Sequence, residues 1–243
     1  MELKLGASER IENLGCGDLK IIQDKSLYTF TSDSVILANF INMKKNDVCV
    51  EIGSGSGVIP ILLSAKTKFK QCFAFELQKP MFDLLTKNIM LNQLQEKIIP
   101  IHDDVVNFKK YMQGGSVDVV FSNPPYMKED ISRNSNKVRD VARHDSALPI
   151  DELCRCASGM LRFGGKFYVV YTAERTAELI SKLIENNIQP KRMFFTENGR
   201  GRVVLVVIEG VKGGKSGMEV LPQLSTNEED GQYISILQTK YVK

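Results

Sequence analysis

The chain has 243 residues, 43% of them hydrophobic and 25% charged, which suits one large soluble domain or one domain with a small appendage. A formal net charge of +3 is compatible with a nucleic-acid partner without requiring one. The start, Met1-Glu2-Leu3-Lys4-Leu5, has no signal-peptide core, and no run approaches a membrane span, so a cytoplasmic protein with no membrane contact is expected. Five cysteines without a CxxC pair read as free thiols, and with only two histidines there is no metal constellation.

In chain order, residues 8–31 mix short apolar pairs with Gly15 and Gly17 and read as a hairpin or extended arm. A helix is expected from Ser32 or Asp33 as cap, with Val35, Ile36, Ala38 and Phe40 on its apolar face. It would cover one end of a sheet, while Thr31 and Asp33 could line a cofactor pocket. Residues 1–45 are taken as arm and covering helix of the same unit, and residues 46–243 as the main domain.

Val48–Ile52 is the first expected sheet strand. Gly53-Ser54-Gly55-Ser56-Gly57 follows at once, then an apolar helix to Lys66 whose Pro60 sits in the first turn. A glycine turn between strand and helix lets backbone approach a ligand closely. The second strand, Cys72–Phe75, ends in Glu76, about 20 residues on, where a carboxylate suits ribose hydroxyls. Three ligands fit such a unit: a nicotinamide dinucleotide, a flavin or S-adenosylmethionine. The turn breaks the G-x-G-x-x-G spacing and lacks the Gly-Lys-Ser/Thr of a phosphate loop, which favours the ligand without phosphate, S-adenosylmethionine. After a helix over Met81–Leu91, the third strand, from Ile98, carries His102, Asp103 and Asp104 at its tip. Asp104 could accept from an adenine amino group; Asp103 could cap the next helix.

Val117–Phe121 is a β-branched and aromatic run, as expected of a strand covered on both faces. Asn123-Pro124-Pro125-Tyr126 ends it. The prolines hold Asn123 and Pro124 extended at the strand's carboxyl end, the edge where open α/β sheets bind ligands. The Asn123 side-chain oxygen and the Pro124 carbonyl could take both hydrogens of a planar NH2 group, and Tyr126 could stack on a flat substrate. Holding both hydrogens would aim the amine's lone pair at an electrophile, which is catalysis by positioning.

The stretch from Met127 to Pro149 is polar with mixed charge and reads as a substrate loop or a surface connection. A helix over about 150–161, a turn at Phe163-Gly164-Gly165 and a strand over Lys166–Tyr171 follow. A helix over Glu174–Asn187 should turn Ala177, Ile180, Leu183 and Ile184 inward. The last two of seven strands, 191–195 and 202–208, flank Asn198-Gly199-Arg200-Gly201-Arg202, where Arg200 and Arg202 suit phosphate. Lys212 and Lys215 lie in a glycine-rich basic loop beyond, and Tyr233, Ile234 and Ile236 should pack the tail back.

Glu51-Ile52-Gly53-Ser54-Gly55-Ser56-Gly57, Glu76, Asp104 and Asn123-Pro124-Pro125-Tyr126 together resemble a class I adenosylmethionine-dependent amino-methyltransferase. Thr31-Ser32-Asp33-Ser34, Ala142-Arg143-His144, Gly201-Arg202-Val203-Val204-Leu205 and Gly231-Gln232-Tyr233 resemble segments of the bacterial family that methylates N6 of adenosine 37 in a valine tRNA. Ser54 departs from the small apolar residue found in many relatives. The resemblance implies a Rossmann-like fold: a mostly parallel seven-stranded sheet with one antiparallel strand and helices on both faces. It implies Gly53, Gly55 and Gly57 against the cofactor, Glu51 near its amino group, Glu76 on the ribose and Asp104 on the adenine. Asn123 and Pro124 would hold the target amine, also beside the cofactor, and Tyr126 would stack on the base. Arg143, Arg200, Arg202, Lys212 and Lys215 would contact a tRNA partner, with the enzyme a monomer. The same loop motif serves protein-glutamine methyltransferases, so a release-factor substrate, or a silent RNA-binding module on this fold, are the alternatives.

Overall fold

A computed structural model describes residues 4–125, 148–198 and 200–226. Residues 9–24 give a separate antiparallel hairpin, β1 (Glu9–Asn13) and β2 (Lys20–Asp24), as the paired apolar residues and glycines suggest. Helix α1 (Ser32–Phe40) follows. Its cap position is Thr31, one residue before the expected Ser32 or Asp33, and no side chain caps it.

The main sheet is built from β3 (Val48–Ile52), β4 (Gln71–Phe75), β5 (Ile98–Ile101), β6 (Val117–Ser122), β7 (Leu161–Thr172), β8 (Ile188–Asn198) and β9 (Val203–Lys212). Helices α2 (Val58–Lys66), α3 (Lys79–Leu91), α4 (Ile150–Met160) and α5 (Thr176–Glu185) connect them. Two short strands, β10 (Glu219–Val220) and β11 (Leu224–Thr226), add to β8 and bring the sheet to nine strands instead of the expected seven. The order is β10-β8-β9-β7-β6-β3-β4-β5, and among the described strands of this sheet only β9 runs antiparallel to its neighbours, β7 and β8. Phe163-Gly164-Gly165 lies inside β7, where the β6–β7 register shifts at a bulge, and is not a turn between elements.

Alternation along the strands fills two cores. Cys49, Val119, Phe121, Tyr168, Val170 and Val207 face the side of α1 and α2. Val50, Val120, Phe167, Val169 and Val206 face the side of α4 and α5. In α5 the inward pair is Leu179 and Leu183, four residues apart; Ala177 and Ile184, expected inside, are exposed, so the apolar stripe is rotated by one residue.

The hairpin is joined to α3 by a device that the sequence does not advertise. Asn88 accepts from Ile22 N at 2.6 Å and donates to Ile22 O at 3.1 Å. Asn92 does the same with Lys20 N and O at 2.9 and 2.7 Å. Four residues of helix rise about 6 Å and two residues of strand about 6.6 Å, so two amides one turn apart match alternate residues of β2 and pair its free edge. Ile22, Met81 and Leu84 pack beneath them.

Candidate active site

The carboxyl ends of the parallel strands are stitched together by hydrogen bonds. Ser122 Oγ donates to Ile52 O at 2.8 Å, Ser54 N to Phe75 O at 2.8 Å, and Glu76 N to Ile101 O at 2.9 Å. The glycine turn therefore sits between β6 and the acidic tips of β4 and β5. Gly53, Gly55 and Gly57 all have positive φ (71°, 53° and 83°), a backbone that side-chain-bearing residues rarely adopt. At Gly57 a Cβ would also lie 2.5 Å from Leu85 Cδ1, so the glycine lets α2 start hard against α3.

Glu76 closes over this turn, taking Gly55 N on one carboxylate oxygen and Gln78 N on the other, both at 2.8 Å. It is buried, and burial raises its carboxyl pKa against the lowering effect of these N–H donors. Glu51, one residue before the strand's end, is buried more completely. Burial first, then the neighbouring Cys72, pushes its carboxyl well above the usual range, with Ser54 nearby pulling it down and Glu76 adding to the rise. Among the described residues, Glu51 Oε2 and Ser54 Oγ are buried with no hydrogen-bond partner. Two such orphans beside a glycine turn are expensive in a closed protein, and a polar ligand would satisfy them. The residues thus fit an amino-acid-bearing cofactor: Glu51 can receive an ammonium, and Glu76 can receive hydroxyls.

The two aspartates after β5 divide their work. Asp103 binds Asn107 Nδ2, Lys110 Nζ, Tyr111 Oη and Asp104 N, a set led by Asn107 and Tyr111 that holds its pKa well below the usual carboxylate range. Asp104 caps the following 3-10 turn through Val106 N at 3.0 Å. Capping was expected of Asp103 and adenine contact of Asp104; here Asp104 does the capping, with one oxygen, and its other oxygen has no partner among the described residues. His102 lies outside this group, its Nε2 3.1 Å from Leu77 O and its ring stacked on Phe82.

Asn123 is half-buried and Pro124 buried at the end of β6. Asn123 Nδ2 donates to Ser34 Oγ at 2.9 Å, across 89 residues of sequence. Ser34 is buried in the first turn of α1, beside Thr31 and Asp33. In this arrangement the amide nitrogen faces the Ser34 hydroxyl, which can accept from it, and the carboxamide oxygen is turned to the side where a ligand would sit. No local pattern assigns a role to Ser34, Ser122 or Asn88; a buried polar residue on an otherwise apolar face is the signal each of them carries. Asn88 also donates to Ser56 O at 2.9 Å, linking the hairpin to the glycine turn.

The structure brings together Glu51, the glycines, Glu76, Asp104, Asn123 and the Thr31–Ser34 segment. Arg200 and Arg202 are exposed in the turn after β8, on this same carboxyl edge, with their N–H groups on Asn198 Oδ1. Lys212 and Lys215 are not part of it. Because β9 runs antiparallel, both lie at the amino edge, and Lys212 Nζ is bound to Ser158 O and Leu161 O at 2.6 and 2.8 Å. Tyr126 and Arg143, the 127–147 segment and Tyr233, Ile234 and Ile236 lie outside the described residues. Among the described residues there is no group of His, Cys, Asp and Glu that could hold a metal, and no helix long and apolar enough to cross a membrane.

Strand order, the one reversed strand among the described residues of the sheet and a glycine turn with acidic tips at the next two strands give the Rossmann-like fold that class I methyltransferases share. Residues 35–143 match the family described as TRM5/TYW2 methyltransferase domain. The chain is similar to proteins named tRNA1(Val) (adenine(37)-N6)-methyltransferase. One, from Flavobacterium psychrophilum, is 25% identical over 69% of this chain and 71% of its own length. Another, from Tolumonas auensis, is 26% identical over 88% of each. Among solved structures, a predicted O-methyltransferase from Agrobacterium tumefaciens shares the fold with a TM-score of 0.66 at 14% identity, over 86% of this chain and 96% of that one.

Proposed function

We propose that this protein methylates the exocyclic N6 amine of an adenosine in tRNA, with adenosine 37 of the valine tRNA anticodon loop as the target. The relatives' names support the substrate, and the observation that carries the chemistry is the anchored Asn123 amide beside the glycine turn. S-adenosylmethionine supplies a methyl group on a positively charged sulfur. Glu51 would receive its ammonium, Glu76 its ribose hydroxyls and the second oxygen of Asp104 its adenine amine. The Asn123 oxygen and the Pro124 carbonyl each accept one N6–H, so the amine's lone pair is turned out of the purine π system. Ser34 holds Asn123 so that its oxygen, not its nitrogen, meets the amine. The methylated amine is acidic enough to lose its proton without a dedicated base. Unstacking the target base is easier in a single-stranded loop than in a duplex.

The test is transfer of labelled methyl to bulk tRNA, to release factor and to neither, followed by nucleoside mass spectrometry. Label appearing as N6-methyladenosine in tRNA is expected. Label on release-factor glutamine, or none on tRNA, would reject the assignment.

A further inference from the structure

At the edge of the sheet opposite the active site, two loops carry four lysines and one carboxylate. The first, residues 42–47, leads into β3 and holds Lys44 and Lys45; the second, residues 67–70, leads into β4 and holds Lys68 and Lys70. They form one surface, because Asn46 N donates to Lys68 O at 3.0 Å and Lys70 N to Asp47 O at 2.9 Å. Met43 and Phe69 are buried and pin the loops to the core, while the lysines on either side of Phe69 and after Met43 are exposed. The carboxylate, Asp47, accepts from the backbone N of Lys44. None of the four ammonium groups has an ion-pair or hydrogen-bond partner among the described residues. Elsewhere Lys79, Lys87, Lys166 and Lys182 each pair with a carboxylate. Lys66, between the two loops in sequence, is bound to Ala38 O and is not part of the surface.

Helix α1 measures the distance from this surface to the chemistry. Its first turn touches Asn123 through Ser34, and its last residue, Phe40, stands just before the first loop. From Ser34 to Phe40 the helix rises about 9 Å, and residues 41–44, running on at about 3 Å each, bring the lysines to about 20 Å from Asn123. With roughly 3.4 Å per phosphate along one duplex strand, that is some six nucleotides from the target base. Four unpaired ammonium groups on a rigid base suit a run of phosphates and carry no means of reading bases.

We propose that loops 42–47 and 67–70 form a second, phosphate-binding surface for the RNA substrate, remote from the methyl-transfer site. The proposal rests on the RNA reading above. Each lysine engaged on a phosphate adds nearly one unit to the slope of log affinity against log salt. The test compares tRNA binding by the wild-type protein, by Lys44→Gln/Lys45→Gln, by Lys68→Gln/Lys70→Gln and by the quadruple variant, across salt concentrations. Each double variant should lower the slope by about two and the quadruple by about four, with at least tenfold weaker binding at low salt. Affinity for S-adenosylmethionine should stay within twofold, which shows that the fold is intact. A quadruple variant with wild-type affinity and slope overturns the proposal while leaving tRNA methylation standing. So does a variant that keeps tRNA binding but loses binding to anionic lipid vesicles. A wild-type protein that neither binds nor methylates tRNA overturns the underlying reading as well.

Discussion

The two edges of the sheet handle charge in opposite ways. At the carboxyl edge, Glu51 and Glu76 are buried carboxyls with pKa values raised first by desolvation; both Glu76 oxygens accept backbone N–H groups, while one Glu51 oxygen has no partner among the described residues. At the amino edge, Lys44, Lys45, Lys68 and Lys70 are solvated and have no partner among the described residues. Buried charge without a partner costs several kcal/mol and persists where a ligand relieves it. Solvated charge costs almost nothing and acts through steering and phosphate neutralisation. Chemistry and cofactor selection thus belong to the dry edge, and sequence-independent grip to the wet one.

The sharpest way to break the contrast is Asn123→Ala. Removing one preorganised polar group at a reacting centre costs about 10²–10³ in turnover. Methyl transfer at saturating cofactor should fall by that factor, while calorimetric affinity for S-adenosylmethionine changes less than threefold. Equal losses in both would remove Asn123 from the catalytic role.

Glu51→Gln tests what that burial costs. A carboxyl with a raised folded-state pKa stabilises the fold below its unfolded value and loses that contribution as pH climbs through the folded value. The ligand-free protein should therefore lose stability as pH rises above about 4.5, where the unfolded carboxyl ionises. Glu51→Gln should flatten that part of the melting-temperature profile and weaken S-adenosylmethionine binding by tenfold or more. A profile unchanged by the substitution argues that Glu51 stays ionised and paired.

Asn88→Leu removes three hydrogen bonds, two to the hairpin and one to the glycine turn. Leaving the buried N–H and C=O of Ile22 unpaired should cost about 2–3 kcal/mol by denaturant melts. It should also raise hydrogen exchange in β2 before the main sheet; uniform exchange across both would mean the hairpin and sheet open together.

The smallest effect is expected from Ser34→Ala, which frees the Asn123 amide to rotate. One hydrogen bond is worth about 1 kcal/mol, or roughly fivefold. That loss should fall on kcat and not on KM for S-adenosylmethionine, and Ser34→Thr should restore part of it.

Much of the site was legible because its parts are local. Gly53-Ser54-Gly55-Ser56-Gly57 follows a strand and opens a helix, and Glu76 and Asn123 each follow a β-branched or aromatic run. The misreadings have physical reasons too. Leu179 and Leu183 are no more apolar than Ile180 and Ile184, so the inward face of α5 depended on what it packs against. Strands β10 and β11, two and three residues long, carry no period of their own. Asp103 and Asp104 are chemically equal, and only the positions of Asn107, Tyr111 and Val106 separated their roles.

By itself the sequence determined which segments are strands and helices and what stands at each strand's end, since periodicity and turn chemistry act over a few residues. The tertiary structure alone decided which ends share an edge. The reversal of β9 sends Lys212 away from Arg202, and the packing of α1 brings Ser34 to Asn123. Those outcomes depend on strand order and helix crossing across the whole chain, which no local pattern encodes.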